Sequence, residues 1–263
     1  MASQAGAGSL RLRQICLVAS DLARESGRIE EIFGLEECYR DPNVERYGLE
    51  NVLFPVGTDF LEIVSPIREG TAAGRFLERH EEHHGYMVIM DCDDPQRRQA
   101  HCAALGVRTA NLIRHGGYLG VQLHPKDTGG AMIEFNRTEN GADPLGPYAP
   151  AGAEWQKHIR KEVTQRLLAA EIECPDAAHF SARWGEIVQR PVQMLAKGRF
   201  RIALDTGALM FLPSDRAHAV LAGIELQVAS RARVMRTAQE LGCIGPGGFL
   251  NVSGIRVRLT EAA

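Results

Sequence analysis

The chain has 263 residues, of which 44% are hydrophobic and 24% charged, with a formal net charge of −3. Such a length can bury one or two cores, and so small a negative charge gives no general attraction to nucleic acid or anionic membrane. No apolar stretch approaches a membrane span, Met1 to Ser9 lacks the apolar centre of a signal peptide, and the six cysteines form no CxxC pair, so a cytoplasmic protein with reduced thiols is expected.

Residues 1–9 read as a flexible tail. From Gln14 the run QICLVASDLARESGRIEEIFGLE joins a strand-like stretch to an amphipathic helix whose apolar face holds Leu22, Ile29 and Phe33, with Ser26 on the same side. Two β-like runs follow, NVLFPV and DFLEIVSP, bounded by residues that turns require. The phrase recurs from Met87 as MVIMDCDDPQRRQAHCAALGVR, followed by YLGVQLHP and AMIEFNR. It recurs again from Ala169, followed by RFRIAL and ALMFLP, and from Gly223, followed by FLNVS and IRVRL. Asp21, Asp94, Asp176 and Ser230 stand where a side-chain oxygen caps the first free N–H groups of a helix, which is the ordinary role of these residue types there.

Self-similarity on this scale means one supersecondary unit used four times. Between the second and third copies lies NRTENGADPLGPYAPAGAE, rich in Gly, Pro, Ala and Asn. The fold class expected is therefore α+β, with two domains that are each a pair of βαβββ units: residues 10–136, a linker at 137–155, and residues 156–263.

The paired units, the phrase from Ile15 to Leu22 and above all VQLHPKDTGGAMIEF from Val121 to Phe135 resemble the vicinal oxygen chelate superfamily. That group includes glyoxalase I, methylmalonyl-CoA epimerase, extradiol dioxygenases and bleomycin-resistance proteins. The resemblance covers roughly residues 10–136, and the second half shares only the pattern of the unit. It implies that paired sheets curl into a cup and hold a divalent ion (Zn, Mg, Mn, Ni, Co or Fe) through four residues, two per unit. Carried over, those positions are Gln14, Glu62, Met87 and Glu134. Gln14, Glu62 and Glu134 offer oxygen donors, whereas Met87 stands where His is usual and supplies only a thioether, so occupancy by metal is in doubt.

Glu62 and Glu134 each interrupt an apolar strand, so each either faces solvent by alternation or serves chemistry inside the cup. His124 and Lys126 could present positive charge at the cup's mouth or simply build a tight turn around Pro125 and Gly129, and Arg114 with His115 heads a Gly-Gly hairpin that could line an entrance. The string HEEHHG at His80–Gly85 matches HExxH, but Gly85 ends the segment at once and no third zinc ligand follows; His83 or His84 replacing Met87 is the second option there. In the second half the matching positions are Ala169, the apolar run from Ala208 to Leu212, Gly223 and Arg258, so a degenerate domain without ligands is expected.

The function expected is a glyoxalase-like, metal-assisted isomerase or lyase acting on a small oxygenated substrate, with Glu134 or Glu62 moving the proton. Two alternatives stand beside it. One is a metal-free small-molecule binding or resistance protein, which Met87 favours; the other is an extradiol-type dioxygenase, which would need His at positions where this sequence has none. A homodimer is the expected assembly, since pairing units covers sheet edges.

Overall fold

The computed structural model of the chain describes residues 8–80 and 85–262. The first unit is β1 (Leu10–Val18), α1 (Leu22–Phe33), β2 (Leu49–Val56) and β3 (Asp59–Pro66). A connecting helix, α2 (Ala72–Arg79), leads to the second unit: β4 (Gly85–Cys92), α3 (Pro95–Ala104), β5 (Thr109–His115), β6 (Tyr118–Leu123), the single turn α4 (Pro125–Thr128) and β7 (Met132–Thr138). The third is β8 (Thr164–Cys174), α5 (Ala177–Val188), β9 (Val192–Met194), β10 (Phe200–Ala203) and β11 (Ala208–Pro213). The fourth is β12 (Val220–Val228), α6 (Arg231–Glu240), β13 (Leu250–Val252) and β14 (Ile255–Glu261).

The unit helices start where the sequence places their caps. The side chains of Asp21, Asp94, Asp176 and Ser230 accept from the backbone N–H groups of Arg24, Arg97, His179 and Arg233 at 3.0, 3.0, 2.9 and 3.3 Å. Each such cap contributes about 1 kcal/mol. Two elements differ from the sequence expectation. In the first unit a short 3-10 helix at Pro42–Tyr47 takes the place of a full strand after α1, its entry capped by Asp41 and its exit turned by Gly48 in the left-handed region. The helix α2 is only eight residues long and rich in polar side chains, and it exists because Thr71 caps it and Ala73, Phe76 and Leu77 pack on the sheet.

Within each half, the first strands of the two units run antiparallel at the centre, β1 beside β4 and β8 beside β12, and each has its own unit's last strand parallel on its outer side. The two halves join into one 14-stranded sheet in which β4 neighbours β12. Strand alternation sorts the side chains: Ile15, Leu17, Val88, Met90, Ala170, Ile172, Ile224 and Leu226 turn to the helices and form one continuous core. Trp184 of α5 is fully buried, and its indole N–H donates across the halves to the Thr128 carbonyl at 3.0 Å. The turn after α4 belongs to the same seam, with Phe180 over Gly129 and the Leu221 N–H donating to the Gly130 carbonyl at 3.0 Å.

The join between β4 and β12 rests on the pair Gly85 and Leu221. A Cβ built on Gly85 would lie 2.1 Å from the Leu221 carbonyl oxygen, so only glycine admits this backbone approach. Gly85→Ala is expected to lower stability by about 1–3 kcal/mol through overpacking, to be measured by urea denaturation. An unchanged midpoint would show that the seam tolerates separation.

Candidate functional site

In the first half the side chains opposite the helices face into the curve of the sheet. Gln14, Cys16 and Val18 come from β1, Glu62 and Val64 from β3, Met87 and Ile89 from β4, and Glu134 and Asn136 from β7, as the shared clusters and contacts of these residues show. A bulge between Leu12 and Gln14 sets the phase of β1 at this point. Gln14, Glu62 and Glu134 are 2%, 8% and 2% exposed, so all three polar groups are taken out of water.

The cup is closed at two ends. On one side α2 lays Ala73, Phe76 and Leu77 against Cys16, Val18, Val64, Met87, Ile89 and Met132. On the other, the segment between β7 and β8 brings in Tyr148, Ala151 and Trp155, which pack on Leu53 and Phe60. Phe60 stacks on Tyr148 at 4.8 Å between ring centroids and meets Trp155 edge-on at 5.0 Å. The Arg13 guanidinium lies 4.6 Å from the centroid of the Tyr148 ring and donates to the Thr58 and Pro144 carbonyls.

Between these covers runs a chain of hydrogen bonds. Asn51 Nδ2 donates to Glu62 Oε1 at 2.7 Å, and Gln14 Nε2 donates to Glu62 Oε2 at 2.7 Å. The Tyr148 hydroxyl donates to Gln14 Oε1 at 2.8 Å and accepts from Asn136 Nδ2 at 3.3 Å. The same Asn136 amide reaches Glu134 Oε1 at 3.3 Å, where the Tyr118 hydroxyl also donates, while Gln122 Nε2 donates to Glu134 Oε2 at 2.8 Å. Toward the surface Asn111 bridges Gln122 and the Tyr47 hydroxyl at 3.1 and 3.2 Å. Gly120 leaves the room this needs, since a Cβ there would meet Glu134 Oε1 at 3.0 Å.

Neutral amides and phenols ease the burial of a carboxylate without cancelling its charge. Burial pushes Glu62 above the usual carboxylate range and the Glu134 charge pushes it further, while donors from Asn51, Cys16 and Gln14 pull it back. Burial likewise raises Glu134, opposed by Tyr118, Gln122 and Asn136. The thiol of Cys16 and the phenols of Tyr118 and Tyr148 are held well above their ordinary values, chiefly by burial, and so remain protonated donors.

The second cup is built differently. Its matching positions carry Ala169, the apolar run from Ala208 to Leu212, Gly223 and Arg258, and beside them stand two acidic residues that the sequence analysis did not name. Glu171, 1% exposed, accepts from Arg258 Nε at 2.7 Å, and Glu173 pairs with Arg216 at 2.8 Å and Arg256 at 2.6 Å. Although burial pushes Glu173 upward, the two arginines hold it below its usual value. Arg256 and Arg258, on β14, are thus ion-pair partners of the glutamates on β8. The carboxylates of the second cup are clamped by guanidinium groups, whereas the described partners of those in the first cup are neutral amides and phenols.

The remaining sequence candidates lie elsewhere. Arg114 and His115 are exposed at the β5 end of a hairpin turn, and Lys126 is exposed on α4. His124 caps α4, its Nδ1 accepting from the Lys126 N–H at 3.2 Å. Among the described residues no hydrogen bond joins any of these four to Glu62 or Glu134. His80 stacks on Phe76 at 4.2 Å, while Glu81, His83 and His84 lie outside the described residues. Asn51, Tyr118, Gln122, Asn136 and Tyr148 are the site residues that the sequence analysis did not single out.

The donor set does not fit a preformed divalent-ion site. Gln14 turns its N–H groups, not its oxygen, toward Glu62, its oxygen is engaged by Tyr148, and Met87 sits with Cys16 and Ile89 as an apolar wall. No cluster of three or more His, Cys, Asp and Glu side chains converges among the described residues.

No protein-family model matches the chain, and no curated protein does. Solved structures do. A hypothetical protein from Staphylococcus aureus superposes with a TM-score of 0.67 at 11% identity, over 96% of this chain and 99% of its own. A mutant of 4-hydroxymandelate synthase from Streptomyces coelicolor gives 0.62 at 11% identity, over 91% of this chain and 78% of its own. A methylmalonyl-CoA epimerase variant from Streptomyces coelicolor covers 50% of this chain and 98% of its own, at 23% identity and a TM-score of 0.45. The chain has a glyoxalase-like fold, an α+β architecture of paired units along its length. No helix among the described residues is long and apolar enough to cross a membrane.

Beneath the aromatic cover lies one more buried acid. Burial raises Asp59 to about 7, opposed by Arg13, Arg11 and Arg166, and its Oδ1 has no hydrogen-bond partner. A carboxyl whose folded pKa exceeds its unfolded value destabilises the fold progressively as pH rises from the unfolded value to the folded one, with the full cost above it. Asp59→Asn should therefore stabilise the protein more at pH 8 than at pH 5, by about 2–3 kcal/mol, in thermal melts at both values. An equal effect at the two pH values would place Asp59 in the ionised state throughout.

Proposed function

We propose that the first cup is a proton-transfer site for a small oxygenated substrate, a glyoxalase-like activity of the isomerase or lyase kind. The single observation that carries this reading is the pair of buried carboxylates, Glu62 and Glu134, one from each unit, served among the described residues by neutral donors and both raised by burial above the usual carboxylate range. A general acid or base works best with its pKa near the working pH, and burial beside a like charge is how a carboxyl reaches it.

In this reading the substrate enters at the rim of Tyr47, Asn111 and Gln122, where Tyr47 and Leu112 are each 41% exposed. Glu134 or Glu62, ionised, removes a proton from the carbon beside a carbonyl and, once it carries that proton, returns it to the neighbouring carbon. The second N–H groups of the Gln14 and Gln122 amides are the donors available to the oxygen on which charge develops. The divalent ion that the resemblance implies has no part in these steps, because Gln14 and Met87 do not offer the ligands it needs. The same closed cup supports a second reading, sequestration of a small ligand without turnover, since Met87 and the two covers make its walls largely apolar.

Deuterium wash-in from heavy water, followed by NMR over a panel of hydroxyketones and acyl thioesters, separates the two. The expected result is exchange at the carbon beside the carbonyl, reduced by about 10²–10⁴-fold in Glu134→Gln or in Glu62→Gln. Ligand binding without exchange would favour sequestration, and wild-type exchange in both variants would remove the carboxylates from the mechanism.

A further inference from the structure

We propose that Tyr148 is a positioning residue: its hydroxyl, carried into the first cup by the segment between β7 and β8, holds Gln14 with its amide N–H turned to Glu62 and withholds the amide oxygen from divalent cations. The inference deepens the reading of this cup as a proton-transfer site and rests on it for its functional meaning, while its geometry stands alone.

The direction of each hydrogen bond follows from the groups on either side. Ionised Glu134 can only accept, so Asn136 must present its Nδ2 there, and the same amide then donates to the Tyr148 oxygen. Tyr148, which is 1% exposed, has its one proton left for Gln14 Oε1 at 2.8 Å. Ionised Glu62 likewise only accepts, so Gln14 gives it Nε2 at 2.7 Å. A reversed Gln14 amide would set its oxygen against a buried carboxylate and leave the phenol proton without an acceptor, and an unpaired buried polar group costs about 1–3 kcal/mol.

Tyr148 itself has little freedom to move aside. Its ring stacks on Phe60 at 4.8 Å between centroids, and the Arg13 guanidinium packs against both rings, 4.6 Å from Tyr148 and 5.0 Å from Phe60. A residue 134 positions away in sequence thus decides which end of Gln14 faces the cup. With the N–H inward, Gln14 can hydrogen-bond a substrate oxygen or a carboxylate; with the oxygen inward it would be a third hard donor beside Glu62 and Glu134, the set that a divalent cation takes.

The test uses Tyr148→Phe, which keeps the ring and deletes the hydroxyl, with Mn²⁺ as probe in calorimetric titration of the full chain. The expected result is Mn²⁺ affinity about tenfold or more above wild type, the scale on which a residue orienting a ligand acts, with the gain lost when Gln14→Ala is added. Equal affinity in folded Tyr148→Phe, or a gain that survives Gln14→Ala, would overturn the assignment. Should the variant not fold, a neutron structure of the wild-type protein decides: Nε2 of Gln14 at Glu62 supports the proposal, and Oε1 there refutes it. Neither readout requires turnover, so this assignment and the proton-transfer reading fail independently.

Discussion

Two carboxylates buried in one cup, with no salt-bridge partner among the described residues, are the constraint on which the rest of the first domain depends. An isolated buried charge costs several kcal/mol, and a second one nearby adds to it. The fold meets this by surrounding Glu62 and Glu134 with donors from β1, β2, β6 and β7, so that the site is an agreement among strands that are not neighbours in sequence. Once water is excluded by α2 on one side and by Tyr148 and Trp155 on the other, those donors become indispensable.

The two cups of the same architecture solve the same electrostatic problem in opposite ways. In the second, Arg216, Arg256 and Arg258 cancel the charges of Glu171 and Glu173 outright. Gly223 allows that arrangement, because a Cβ there would lie 3.2 Å from Glu171 Oε2 and 2.7 Å from the Arg256 carbonyl. Ion pairing stabilises an ionised carboxylate and removes its basicity; neutral donors leave the proton free to move. The chemical asymmetry of the protein lies in that choice of donor rather than in the backbone.

How much of this the sequence disclosed follows from how local each signal is. Asp21, Asp94, Asp176 and Ser230 announced their helices because a cap and its target N–H stand within three residues of one another. Glu62 and Glu134 were visible because each breaks an apolar run, and Asn51 on β2 and Asn136 on β7 do the same and could have been noticed on that ground. Gln122 needed the register of the β6–β7 pair, which sets it opposite Glu134. Tyr148 carried no signal, since it lies in a stretch whose Gly and Pro content reads as spacer and its partner is on the first strand. The ion pairs of the second cup were hidden for the same reason, Arg256 and Arg258 lying 83 and 87 residues from their glutamates.

Tyr148 also decides where the first cup ends along the chain. A stretch ending with β7 contains Gln14, Glu62 and Glu134 but neither the phenol that engages Gln14 nor the aromatic wall of Trp155. The segment that reads as a spacer in the sequence is part of the interior, so a version of the protein cut after β7 would hold a different site rather than a smaller one.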